Sequence, residues 1–133
     1  MEIAPTRPQP ETHMRRLDFL LVFVLAAAPA FAHDNQGPNG GRVKDLGPFH
    51  AELTAKGSTV ELYVTDTANK AIAMDGYKGL AILAVGGKSE RIDLAPASGN
   101  KLAGTSTMTI PPNAKGVVRL NSPDGKTSQA KFD

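Results

Sequence analysis

The chain has 133 residues, of which 41% are hydrophobic and 21% charged, and it contains neither cysteine nor tryptophan. This length fits a single domain. The absence of cysteine excludes a disulfide-stapled scaffold, a thiolate zinc site, an iron–sulfur centre and a cysteine nucleophile. Fifteen Lys and Arg against thirteen Asp and Glu give a net charge of +2, with the two signs interspersed along the chain. We therefore expect no nucleic-acid partner, because such binding needs a dense basic face.

Residues 1–32 have the pattern of a secretion signal. The apolar run Phe19–Ala28 is too short to span a bilayer of ~30 Å. Arg15 and Arg16 precede the run, and a small-x-small pattern ends at Ala32. The sequence therefore predicts a signal peptide that is cleaved after Ala32, leaving a periplasmic or secreted protein with no membrane anchor.

Three segments follow from this division of the chain. Residues 1–32 are the predicted signal peptide, in which the Pro-rich stretch 1–13 is either an overlong start or a long n-region. Residues 33–41 are rich in Gly, Pro and Asn and predict a flexible N-terminal arm. Residues 42–133 form the predicted folded domain, and a chain of this size buries roughly 60–68% of its unfolded surface.

The first clear strand signal runs from Phe49 to Lys56, where apolar and polar residues alternate strictly. His50 and Glu52 fall on its polar face, together with Thr54 and Lys56. Val60–Thr65 alternates in the same way after a turn that contains Gly57, so the two strands are expected to form a hairpin.

The later segments also read as short strands. Leu80–Val85 and Arg91–Leu94 flank Gly86-Gly87, a pair that suits a tight hairpin turn. Further short strands are predicted at Leu102–Thr105, Thr107–Ile110, Val117–Leu120 and Lys126–Phe132. Seven or eight short strands predict an all-β fold, a single antiparallel, immunoglobulin-like β-sandwich or a small barrel. Ala68–Met74 is the one place where a helical turn is tolerated.

Candidate metal ligands cluster near the start of the processed chain. After the predicted cleavage, His33 offers its α-amine and imidazole Nδ1 as a chelate, a donor set that suits Cu(II). His50 and Glu52 lie ~6.6 Å apart on one strand face, and Asp34 can contribute from the arm. These four residues are the candidate metal site; in the alternative reading, His50 is simply a solvated surface residue and no metal binds.

No motif favours an enzyme. The carboxylates are scattered and do not form an acid–base pair, and no serine lies in a nucleophile motif. Gly40-Gly41 lacks the spacing of a phosphate-binding loop. Met74 and Met108 are interpreted as core side chains and not as thioether ligands.

The stretch His33–Leu53, HDNQGPNGGRVKDLGPFHAEL, resembles a segment of small exported proteins from heavy-metal and copper resistance loci. It is also similar to a short domain at the front of periplasmic adaptor subunits of heavy-metal efflux pumps. The resemblance rests on the GPNGG and FHAEL strings. It implies a periplasmic β-sandwich that binds or buffers metal near an efflux system, with His50, Glu52 and His33 as its site residues.

The leading hypothesis is therefore a non-enzymatic periplasmic protein that binds Cu(II) first and Zn(II) second. His33 and His50 supply nitrogen ligands, and Glu52 is either a ligand or a residue that orients one. Affinity is expected to weaken below pH ~6.5, where imidazoles protonate. The expected partner is an efflux adaptor or another envelope protein. The alternative is an envelope protein-interaction module that uses neither histidine.

Overall fold

The structure is a computed structural model, and it describes residues 36–133. Every regular element in that range is a β-strand. The eight strands are β1 Arg42–Leu46, β2 Phe49–Lys56, β3 Thr59–Asp66, β4 Lys78–Val85, β5 Lys88–Pro96, β6 Lys101–Thr105, β7 Gly116–Asn121 and β8 Thr127–Phe132. The prediction of an all-β antiparallel fold with seven or eight strands is confirmed.

The strands form one continuous antiparallel sheet in the order β1-β2-β3-β6-β5-β4-β7-β8. We call β1, β2, β3 and β6 the first sheet, and β4, β5, β7 and β8 the second sheet. Strand β5 joins them: it pairs with β4 from Lys88 to Leu94, and its last residues, Ala95 and Pro96, pair with β6. This connectivity differs from the ABED and CFG sheets of an immunoglobulin domain.

The sheet curls until β1 lies beside β8, which gives a nearly closed, barrel-like shape. Lys44 Nζ on β1 lies 3.8 Å from an Asp133 carboxylate oxygen just beyond β8. The Arg42 guanidinium lies over the Phe132 ring, 5.5 Å from its centroid. Among residues 36–133 no backbone pairing joins β1 to β8, so side chains hold this seam.

The core fills the space between the two sheets with apolar side chains, most of them from alternate strand positions. The largest fully buried residues are Phe132, Leu46, Leu53, Leu62, Met74, Leu83, Ile92, Leu102, Ile110, Leu120, Val60 and Val64. Full burial of one such side chain stabilises the fold by about 1.5–3 kcal/mol. Met74 is a core residue as predicted, and Met108 is half-buried against the core.

The tight turns match the sequence signals. Gly86 and Gly87 both have positive φ, 56° and 77°, as a two-residue hairpin turn requires. The turn at Ser122–Gly125 is closed by a hydrogen bond from Gly125 N to Ser122 O at 2.9 Å. The predicted hairpin of β2 and β3 is also present.

Two local predictions are wrong. Thr107–Ile110 is irregular because its backbone bonds to a turn and not to a strand: Ile110 N donates to Gly57 O, between β2 and β3, at 2.8 Å. Ala68–Met74 forms no helical turn, since Ile72 N donates to Val64 O at 3.3 Å and holds the segment against β3. Within the described range, no helix is long and apolar enough to cross a membrane.

Candidate functional site

A short turn lies over the outer face of the first sheet, immediately before β1. We call Gly37–Gly41 the arm turn. Gly37 N donates to Gly41 O at 2.9 Å, and Gly40 N donates to Gly37 O at 3.0 Å. These residues belong to the predicted arm 33–41, and two backbone hydrogen bonds join them to one another.

The carboxylate of Glu52 on β2 holds the arm turn. Its Oε1 accepts hydrogen bonds from the backbone N–H groups of Asn39 and Gly41, at 2.8 and 2.9 Å. Its Oε2 accepts one from Asn39 Nδ2 at 2.9 Å. Glu52 is only 4% exposed, so the turn covers it. Hydrogen bonds to a charged acceptor are the stronger kind, and Glu52 therefore organises the turn.

Two glycines of the arm turn lie too close to β2 to carry a side chain. A Cβ at Gly37 would lie 2.2 Å from Glu52 Cδ, and one at Gly41 would lie 2.4 Å from Leu53 O. Only glycine permits such a close backbone approach. The GPNGG string and the glutamate of FHAEL thus depend on each other through direct packing.

His50 lies two residues before Glu52, at the more exposed end of the same strand face. Its cross-strand partners are Asp45 on β1 and Thr65 on β3. His50 Nε2 lies 3.4 Å from Asp45 Oδ1, and His50 Nδ1 lies 3.2 Å from Asn69 Oδ1. The His50 side chain is 32% exposed. The imidazole is thus oriented on both sides while solvent still reaches it.

The loop that supplies Asn69 is well organised. Asp66 Oδ1 accepts hydrogen bonds from Ala68 N and Lys70 N, at 2.8 and 2.9 Å. Asn69 has a left-handed backbone with φ of 60°, a conformation that asparagine tolerates better than most residues. This loop therefore presents the Asn69 amide to His50.

A small cavity of about 180 Å³ opens between the arm turn and this loop. His50 and Glu52 both line it, as expected for residues on one strand face. The remaining lining residues are Pro38, Asn39, Val43, Tyr63, Thr65, Asn69 and Asn100. Seven of its nine lining residues have polar side chains, and the Glu52 oxygens already accept three hydrogen bonds from the arm turn.

A polar cluster on β3 and β6 borders the cavity. Tyr63 Oη donates to Glu61 Oε2 at 2.7 Å, and Lys101 Nζ lies 3.4 Å from Glu61 Oε1. The hydrogen bond to Glu61, together with burial, raises the pKa of Tyr63 to about 12. The same hydrogen bond, with help from Lys101, lowers the pKa of Glu61. Tyr63 is therefore a neutral hydrogen-bond donor at physiological pH.

Two of the four predicted metal ligands lie in the described part of the chain. His33 and Asp34 lie outside the described residues. His50 and Glu52 come together at one cavity, but Glu52 is committed to the arm turn. Within residues 36–133, no group of three or more His, Asp or Glu side chains is placed to hold a metal ion.

Sequence reasoning missed the two direct neighbours of His50. Asp45 emerges only when β1 and β2 are joined as a hairpin, since that register places it opposite His50. A Gly47-Pro48 turn signal in the sequence would have predicted that hairpin. Asn69 is an exposed loop residue, and its position depends on the fold of that loop.

No protein-family model, curated protein or solved structure matches this chain. The candidate site is therefore defined by the geometry of His50 and its neighbours alone. The likeness of the GPNGG and FHAEL strings to metal-resistance proteins remains an expectation, and the structure supplies a packing reason for the same strings.

Proposed function

We propose that this protein is an exported, non-enzymatic transition-metal-binding protein that takes Cu(II) in preference to Zn(II), with His50 and His33 as its nitrogen ligands. The observation that carries the proposal is the open imidazole of His50. It is oriented by Asn69 and Asp45, and it lines a surface recess together with Gln36. Gln36 is the first described residue after the arm position of His33.

Chain length supports a joint site. His33 precedes Gln36 by three positions, and an extended chain spans at most ~3.6 Å per residue. His33 therefore lies within ~11 Å of Gln36, which shares the recess of His50. Asp34 lies within the same reach as a further oxygen donor.

The contacts of His50 suggest how its ring would bind. In the tautomer in which Nδ1–H donates to Asn69 Oδ1, Nε2 has a free lone pair. Asp45 Oδ1 lies 3.4 Å from that Nε2. Two donor atoms that each lie ~2.0–2.2 Å from one ion are separated by about the same distance as His50 Nε2 and Asp45 Oδ1. We therefore assign Asp45 as an oxygen ligand, and Glu52 as the residue that positions the arm turn.

Titration of the processed protein with Cu(II) and with Zn(II) tests this proposal, after intact mass has established that the chain begins at His33. We expect one Cu(II) ion per chain and nitrogen coupling in its electron paramagnetic resonance spectrum. His50→Ala should weaken binding at least about tenfold. Asp45→Asn should also weaken binding, and Asp124→Asn is its matched control, because Asp124 lies in the β7–β8 turn. Absence of binding at micromolar metal, or unchanged affinity of His50→Ala, would contradict the proposal.

The location and partner belong to the same proposal. We place the protein in the periplasm, where it would pass metal to a heavy-metal efflux adaptor or to another envelope protein. Cell fractionation tests the location. Co-purification of an envelope partner with the metal-free His50→Ala variant would instead favour the protein-interaction module.

A further inference from the structure

The outer face of the second sheet has a different character from the candidate site. We call it the basic face. It consists of the outward positions Lys78, Leu80, Ile82, Ala84, Ser89, Arg91, Asp93, Ala95, Lys115, Val117, Arg119, Asn121, Thr127, Gln129 and Lys131. Their inward neighbours, such as Ala81, Ile92 and Val118, are buried in the core.

The centre of the basic face is aliphatic. Leu80 and Ile82 follow each other on one side of β4, and Ile82 lies opposite Val117 on β7. All three are half-exposed, and none is among the partly buried residues that pack against the core. Within the described part of the chain, the main strand contacts of β4 are with β5 and β7, its neighbours in the sheet.

Cations surround this aliphatic centre. Five Lys and Arg side chains stand on the face, against the single carboxylate of Asp93; they are Lys78, Arg91, Lys115, Arg119 and Lys131. A second carboxylate, that of Asp133, lies at the corner, 4.0 Å from Lys131 Nζ. The described residues as a whole carry twelve Lys and Arg against nine Asp and Glu, so the fold gathers most of the excess positive charge on one side.

One end of the basic face contains a mainly apolar groove of about 560 Å³. Leu80, Leu94 and Pro96 contribute apolar walls, while Lys78 and Arg91 bring two cations to the same groove and Asp93 brings one carboxylate. Such a groove offers positive charge for a phosphate beside an apolar surface for the carbon chain attached to it.

We propose that the basic face docks on an anionic phospholipid surface. Each Lys or Arg near such a surface contributes ~1 kcal/mol of attraction, and the aliphatic centre adds apolar contact with the interfacial region. A nucleic acid fits less well, because the aliphatic centre separates the cations and Tyr77, the aromatic residue that lines the groove, is partly buried and packs edge-on against Phe49. An acidic protein partner fits less well because the face lacks an aromatic hot spot at its centre. This proposal is independent of metal binding.

Vesicle sedimentation tests the proposal with the purified protein and two lipid compositions, phosphatidylcholine alone and phosphatidylcholine with about 25% phosphatidylglycerol. We expect binding to the anionic vesicles only, and weaker binding at high salt. The double variant Arg91→Glu, Arg119→Glu should lose at least about tenfold in affinity. The matched control, Lys56→Glu with Lys70→Glu, changes the net charge equally on the side of the first sheet and should change affinity less than about twofold.

Four results would overturn the proposal: no binding to the anionic vesicles, equal losses in the two double variants, tighter binding to a short DNA duplex than to vesicles, or tighter binding to an acidic polyglutamate peptide. Because Arg91 and Arg119 are exposed, both variants should fold, and circular dichroism checks this. If the charge reversal unfolds the protein, Arg91→Gln with Arg119→Gln repeats the test. Ile82→Ser should also weaken vesicle binding, without changing its salt dependence.

Discussion

Polar and apolar residues alternate along the strands of both sheets, but the outward side chains of the two sheets differ in how far they are exposed to solvent. On the first sheet, the arm turn covers β2, and a glutamate in an outward position is 4% exposed. On the second sheet, Lys78 and Ala84 in outward positions of β4 are exposed, and Leu80 and Ile82 between them are half-buried beside cations. The pattern fixes which side of a strand faces the core, but the cover determines whether the other side meets solvent.

The difference also separates two kinds of chemistry. The covered face holds hydrogen-bonded groups in fixed geometry, such as Glu52 with the arm turn and His50 with Asn69. The open face holds exposed Lys and Arg side chains. One of them, Arg119, donates a hydrogen bond from Nε to Gln129 Oε1 at 3.0 Å. Fixed geometry suits a single ion, whereas a broad cationic surface suits an extended partner.

The largest expected effect concerns the cover itself. Glu52→Ala removes three hydrogen bonds to a buried carboxylate and leaves the N–H groups of Asn39 and Gly41 without that acceptor. We expect the free energy of unfolding to fall by about 2–4 kcal/mol, measured by urea denaturation. The control Asp93→Ala on the open face should change it by less than about 0.5 kcal/mol. A loss below about 1 kcal/mol for Glu52→Ala would show that the arm turn contributes little.

The next effect concerns the polar cluster beside the covered face. The pKa of Tyr63 is raised to about 12 by its hydrogen bond to Glu61 and by burial. Since the chain has only two tyrosines and no tryptophan, absorbance at alkaline pH reports tyrosine ionisation directly. We expect one tyrosine to titrate near pH 12, and Glu61→Gln should return its midpoint toward the ordinary value near 10.

The same shift predicts the direction of an alkaline stability change. Because the folded-state pKa of Tyr63 exceeds the unfolded value, its stabilising contribution is complete below about pH 10 and is lost as the pH rises toward 12. Two tyrosines that titrate together near 10 would contradict the Tyr63–Glu61 hydrogen bond.

A smaller effect is expected on the open face. Ile82→Thr replaces a half-exposed aliphatic residue outside the core, so the free energy of unfolding should change by less than about 1 kcal/mol. Ile92→Thr, on the inward side of the neighbouring strand, should cost about 2–4 kcal/mol because it places a hydroxyl in the core. Thermal unfolding of both variants checks the contrast, and equal losses would mean that the outer face is also packed.

The smallest effect concerns Glu90, whose Oε1 accepts hydrogen bonds from Ser106 Oγ and Thr107 N. These bonds lower the pKa of Glu90. Its stabilising contribution is therefore complete above the unfolded-state pKa and is lost as the pH falls through the lower folded-state value. We expect Glu90→Gln to flatten the acid limb of the stability profile slightly. A variant that stays as acid-sensitive as the parent protein would contradict this.

Much of the fold was predictable from local signals. Strict alternation located β2 and β3, and the Gly86-Gly87 pair located the β4–β5 turn, because both signals depend on neighbouring residues only. The strand predicted at Thr107–Ile110 was wrong because Gly57, whose carbonyl accepts the hydrogen bond from Ile110 N, lies far away in the sequence. The interspersed charges gave no sign of the basic face, since Arg91, Arg119 and Lys131 come together only through the register of three strands.

The candidate site was predictable only in part. The alternation of β2 placed His50 and Glu52 on one face, which the structure confirms. The burial of Glu52 depends on a turn whose sequence reads as flexible, so no local pattern reveals it. The contact of His50 with Asn69 depends on the left-handed backbone of an exposed loop residue.

The seam between β1 and β8 has a consequence for motion. In the described residues, the backbone amides of β1 and β8 that face this seam form no ladder of hydrogen bonds with each other. Strand β4, in contrast, is hydrogen-bonded to β5 on one side and to β7 on the other. Local opening requires the fewest broken bonds at this seam. The seam-facing amides of β1 and β8 should therefore exchange with deuterium long before those of β4. Local opening of the barrel should begin at the contact between Arg42 and Phe132.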